Sequence, residues 1–98
     1  MRESIQFSPA EDLSFETVLQ ELNRFKRLLH TNQSAAFGVN LSQVSHCDSA
    51  GLALLIEIKR LYAIKKNKLM MQNVPNQLLD LAEFCGVKQL LLGVLADG

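Results

Sequence analysis

In Phe37-Gly38-Val39-Asn40-Leu41-Ser42-Gln43-Val44, the apolar residues Phe37, Val39 and Leu41 alternate with Gly38, Asn40 and Ser42. That is the period of two expected of a β-strand, and its apolar character suits the centre of a sheet. A loop from Ser42 leads into Cys47-Asp48-Ser49-Ala50-Gly51-Leu52-Ala53-Leu54-Leu55. Asp and Ser accept hydrogen bonds from the unpaired N–H groups that open a helix, so a helix is predicted from about Gly51 to Lys66.

Outward from this strand and helix, the pattern keeps alternating. Ile5 and Phe7 read as a short strand closed by the turn Pro9-Ala10-Glu11-Asp12, and Leu13 and Phe15 as a second, very short one. Phe15, Val18, Leu19, Leu22, Phe25 and Leu29 are spaced by three and four, with Glu16, Gln20, Glu21, Asn23, Arg24 and Arg27 on the other side. This predicts an amphipathic helix ending in the polar turn His30 to Ser34. Lys68 to Gln72 reads as a strand; Pro75 opens a helix with the stripe Leu78, Leu81, Ala82 and Cys85, which Gly86 caps. Val87 to Leu92 fits either an edge strand or a final helical turn. Strands alternating with helices imply parallel pairs joined by right-handed crossovers. The expected fold is α/β, a small mixed β-sheet with helices packed on it, in a single domain over residues 1–98.

The chain has 98 residues, enough for one core and too few for two. Ten basic and ten acidic residues cancel, and no Lys/Arg cluster tracks a phosphate backbone, so nucleic acid is not an expected partner. Met1 to Phe7 has no apolar signal core, and Ala50 to Ile56 and Leu90 to Leu92 fall short of a membrane span. A cytoplasmic location without membrane insertion is expected, with Cys47 and Cys85 as free, buried and inert thiols.

The helix after Gly51 has two apolar faces. Leu54, Leu55, Ile58, Leu61 and Tyr62 form a stripe broad enough to cover a sheet, while Leu52, Ala53, Ile56 and Ala63 point nearly the opposite way, bordered by Lys59 and Arg60. Either Leu52 and Ile56 tuck under neighbouring helices, or the second face docks a partner protein; docking is the preferred reading. At the helix start, Asp48 and Ser49 either cap the helix or make it a switch, since the N–H groups and helix dipole there favour a phosphate on the Ser49 hydroxyl.

Catalytic alternatives find less support. His46, Asp48 and Ser49 are the residue types of a hydrolase triad, but near-adjacent residues in one loop rarely converge as a triad must. His30, His46, Cys47 and Cys85 lack zinc-ligand spacing, and the scattered glycines form no phosphate-binding loop. No enzyme activity, metal or cofactor is expected, and Tyr62 and the phenylalanines are expected to pack the core.

The strand, the Asp48-Ser49-Ala50-Gly51 loop and the helix together resemble the signature of STAS domains, the fold of anti-sigma-factor antagonists. The likeness continues through Asn73-Val74-Pro75-Asn76-Gln77-Leu78 and Leu81 to Leu91, covering about the last sixty residues. It is most similar to members that serve phospholipid ABC transporters of Gram-negative bacteria. The resemblance implies a non-catalytic cytoplasmic subunit that binds the transporter's ATPase, in complex with a permease, and supports assembly, activity and outer-membrane lipid asymmetry. By position, Ser49 matches the hydroxyl residue that such members present to the ATPase, and Asp48, Gly51 and Leu52 match the neighbouring loop and helix start. The alternative is an anti-sigma-factor antagonist whose partner is a serine kinase that phosphorylates Ser49. Ala50 in place of a second serine, and the abbreviated N-terminal part, depart from that sigma-regulating pattern.

Overall fold

A computed structural model describes residues 4–32, 36–65 and 69–92. Strands β1 (Ser4–Phe7), β3 (Ala36–Asn40) and β5 (Met70–Gln72) form one sheet in the order β1-β3-β5, and β2 (Asp12–Leu13) pairs with β4 (His46–Cys47). Helices α1 (Val18–Thr31), α2 (Ser49–Lys65), α3 (Asn76–Phe84) and α4 (Lys88–Leu92) complete the α/β domain. The central strand is β3, as its alternation implies. All three pairs are parallel, so among the described residues no antiparallel strand makes the sheet mixed. Lys66, Lys68, Gln33 and Ser34, at the expected ends of α2, β5 and the α1 turn, lie outside the described residues.

The register places Ile5 beside Phe37, Phe7 beside Val39, and Val39 beside Met71. Side chains alternate across a strand, so these residues share the face turned to the core, where Phe7, Phe37 and Val39 are buried. Aromatic rings then run into the helices: Phe25 of α1 meets Phe7 edge-on at 5.3 Å and Phe37 at 6.0 Å, and Phe37 meets Tyr62 of α2 at 5.6 Å. The Phe37 N–H donates to the Tyr62 hydroxyl at 3.2 Å, so the phenol adds no unpaired polar group to the core. On the opposite face, Gln6 donates to Gln72 at 2.7 Å, and Gly38 leaves room for the Gln72 amide to lie across it.

Two departures from the expected α1 have local causes. Ser14 and Thr17 close a tight turn, in which the Thr17 and Val18 N–H groups donate to the Ser14 carbonyl, so the helix starts three residues after Phe15. Phe15 therefore leaves the stripe and is 78% exposed, as is Leu19 at 73%, while burial shifts to Phe25 and Leu29. Glu21, expected on the solvent side, is 3% exposed. Its carboxylate accepts from the Ala10 N–H at 3.1 Å and from Arg24 at 2.8 Å, bonds that make burial of the group tolerable.

The α3 helix opens at Pro75, whose carbonyl receives Leu78 and Leu79 N–H, and closes at Gly86. Gly86 has φ of 76°, with its N–H on Glu83 O and the Val87 N–H on Ala82 O, a Schellman ending that only glycine enters without strain. Val87 then leads into the helical α4, which settles the strand alternative for this segment. Cys85 is exposed beside that ending and corrects the expectation of a buried thiol; the stripe of α3 is completed by Leu78 and Ala82.

Candidate functional site

The start of α2 is built by Asp48. One carboxylate oxygen accepts the Gly51 N–H at 3.0 Å, and the other accepts the Phe15 N–H at 3.1 Å. The Asp48 carbonyl takes the Leu52 N–H at 3.0 Å, and its own N–H reaches the Leu13 carbonyl at 3.3 Å. One side chain thus caps α2 and ties it to the segment leading into α1. Gly51 makes the approach possible, because a Cβ there would lie 2.0 Å from the Leu13 carbonyl oxygen.

These bonds hold the Asp48 carboxyl below the ordinary carboxylate range: the Gly51 N–H contributes most, then Phe15, with Ala50 N–H and His46 adding to them against a smaller effect of desolvation. A group with a lowered folded pKa stabilises the fold above its unfolded value, and that contribution is lost as pH falls through the lowered value. Asp48→Asn should therefore destabilise the domain at neutral pH and progressively less below about pH 4, with the two proteins converging in acid. Urea midpoints across that range measure it; a gap that stays constant with pH would refute the assignment.

Cys47 lies beside this cap, its thiol pushed up to about 11, first by burial and then by the charges of Asp48 and Asp12. It is half-buried, with its sulfur 3.5 Å from the Asp48 carbonyl oxygen, and so is a poor nucleophile at neutral pH.

Ser49, at the first position of α2, is exposed and opens a row with Ala53, Ile56, Arg60 and Ala63 on one side of the helix. Ser49, Ala53, Arg60 and Ala63 are exposed, and Ile56 is partly buried against the core. Leu52 corrects the expected docking face: it is 3% exposed and belongs to the core. The reason is that α2 is packed from several sides, by β2 and β4 as well as α3 and α4, and Leu52 joins the one continuous core cluster. Gly51 is also buried, so its role is steric. Lys59 is half-buried, donating to the Leu69 carbonyl at 3.2 Å, while exposed Arg60 pairs with Glu57 through two bonds of 2.9 and 2.6 Å. The structure brings Asp48, Ser49 and Gly51 together at one end and leaves Arg60 more than two turns along the helix.

The surface residue that sequence reasoning missed is Phe15, whose backbone shares the Asp48 carboxylate with α2. The Ser14-x-x-Thr17 turn was the available signal, since Ser and Thr at that spacing close a turn before a helix. His46 lies 4.0 Å from Asp12, across the β2–β4 pair, and Ser49 is the exposed hydroxyl at the neighbouring helix start. Among the described residues no group of three His, Cys, Asp or Glu side chains could hold a metal ion, and no helix is long and apolar enough to cross a membrane.

A family model described as "Mlab, STAS domain" matches residues 5–93. No curated protein matches the chain. The match takes in β1 as well as the Asp48-Ser49-Ala50-Gly51 helix start and the α3 ending at Gly86. The chain belongs to the MlaB-like STAS domain family.

Proposed function

We propose that this STAS domain is a non-catalytic docking subunit that binds the ATPase of a phospholipid ABC transporter on the cytoplasmic side of the inner membrane. There it supports assembly and activity of the ATPase–permease complex, and through it outer-membrane lipid asymmetry. The observation that carries this reading is the exposed row Ser49, Ala53, Arg60 and Ala63, on a helix whose other sides are largely buried. Small side chains at three of these four positions let a partner's backbone come close, and Ser49 offers a hydroxyl at the end nearest Phe15. Membership of a family of interaction domains agrees with a binding role.

Ser49 also supports a second reading, an anti-sigma-factor antagonist phosphorylated by a serine kinase. Its exposed hydroxyl at a helix N-terminus is where a phosphate gains from the helix dipole. The carboxylate of Asp48 beside it opposes that added charge.

The test is capture from detergent-solubilised native membranes with the wild type and Ala53→Glu as baits. Ala53 is exposed, so the variant should melt with the wild type. Wild type is expected to retain the ATPase with its permease, and Ala53→Glu to lose both. Retention of a serine kinase without transporter subunits would replace the first reading with the second.

A further inference from the structure

We propose that the docking end of this domain recognises a basic protein surface carrying an apolar socket for Phe15; this rests on the reading that a transporter ATPase docks here.

Phe15, in the turn before α1, and Leu19, in the first turn of α1, are two large apolar side chains, both more than two-thirds exposed. The Phe15 backbone is held in place: its N–H is on Asp48, and the turn around it is closed by the Ser14 N–H on the Thr17 hydroxyl at 2.9 Å and that hydroxyl on the Asp12 carbonyl at 2.9 Å. An aromatic side chain on a fixed backbone loses little freedom on burial, which is what an interface anchor requires.

The surroundings of Phe15 carry one sign. Glu11, Asp12 and Glu16 are exposed, and Asp48 holds the Phe15 N–H. They are connected in space: the Ser45 and His46 N–H groups bond the Glu11 carbonyl, and the Ser14 hydroxyl bonds Asp12 and accepts the Glu16 N–H. The sequence has no Lys or Arg between Arg2 and Arg24, nor between Arg27 and Lys59. Arg24 is committed to buried Glu21 and to the Ser8 carbonyl, and no other Lys or Arg lies on β1, β2, β4 or the first two turns of α1 and α2. The helix cations Lys26, Arg27, Lys59 and Arg60 belong to the later turns of α1 and α2. The exposed carboxylates around Phe15 therefore stand apart from the cations of α1 and α2, the remaining described acids Glu57, Asp80 and Glu83 lying on the later part of α2 and on α3.

That separation selects the occupant. An anionic membrane or a nucleic acid would meet carboxylates, and a second copy docking by this same end would set carboxylate against carboxylate. A basic protein surface gains from the same charges and covers Phe15 and Leu19.

The experiment measures affinity of the full chain for the purified ATPase–permease complex of the transporter in detergent, at about 50 and 500 mM salt. Wild-type affinity should fall at least about tenfold between these conditions. Glu16→Lys should lose about as much at low salt and show a flatter salt dependence, while Phe15→Ala should lose about tenfold or more at both salts, with an unchanged melting temperature. If wild type binds but neither salt nor Phe15→Ala alters affinity, the inference fails and the docking reading stands. If wild type does not bind the complex, both fall. Self-association, or binding to phosphatidylglycerol vesicles, that Phe15→Ala abolishes would assign a different occupant and overturn the inference.

Discussion

Gly51→Ala is expected to destabilise the domain by about 3 kcal/mol, the upper end for added volume in a packed site and a large share of the roughly 5–15 kcal/mol that holds a typical domain together. In an exposed helix this substitution has the opposite sign, since alanine is favoured over glycine by about 1 kcal/mol. Here the added Cβ would lie 2.0 Å from the Leu13 carbonyl oxygen, 2.8 Å from its carbon and 3.0 Å from the Cys47 sulfur. The first two are backbone atoms, so no side chain can rotate out of the way. Relief requires α2 to withdraw from β2, which strains the Asp48 N–H bond to Leu13 and the Asp48 bond to Phe15. Denaturant midpoints measure the change; an alanine variant as stable as wild type would show that the approach of helix to strand is looser than this geometry.

Phe25→Ala should cost about 3–5 kcal/mol, the range for emptying a phenylalanine site in a core. Phe25 is completely buried and stands between Phe7 and Phe37, so it joins both strands to α1 and leaves a cavity bordered by rings when removed. The same substitution at exposed Phe15 should change stability by no more than about 0.5 kcal/mol. Parallel denaturant melts of the two variants make the comparison, and equal losses would contradict the burial assigned to these two residues.

The contrast between these phenylalanines shows what local sequence carries. The alternation of Phe37, Val39 and Leu41, the Asp48 cap and the Gly86 ending were legible because each is settled within a few residues. Asp48, Ser49 and Gly51 do meet at the start of α2, though the reason for Gly51 lay with Leu13, far away in the chain. Phe15 and Glu21 were misplaced because helical spacing gives a period but does not fix where the helix begins, and three residues of delay turn one side chain out while distant Ala10 draws the other in. Leu52 and Cys85 were misplaced because exposure is set by tertiary packing, which helical spacing does not give. The separation of charge was present in the order of residues, yet it defines an end of the molecule only once α1 and α2 start side by side.

The Asp48 carboxylate spans 33 residues to reach Phe15 and three to reach Gly51. The short contact lies within the start of α2, whereas the long one needs the β2–β4 pair to hold the two segments together. The Phe15 backbone and the start of α2 that carries Ser49 therefore meet only in the folded domain. A partner that grips both would bind the folded domain and not a chain in which the Asp48–Phe15 contact is unmade.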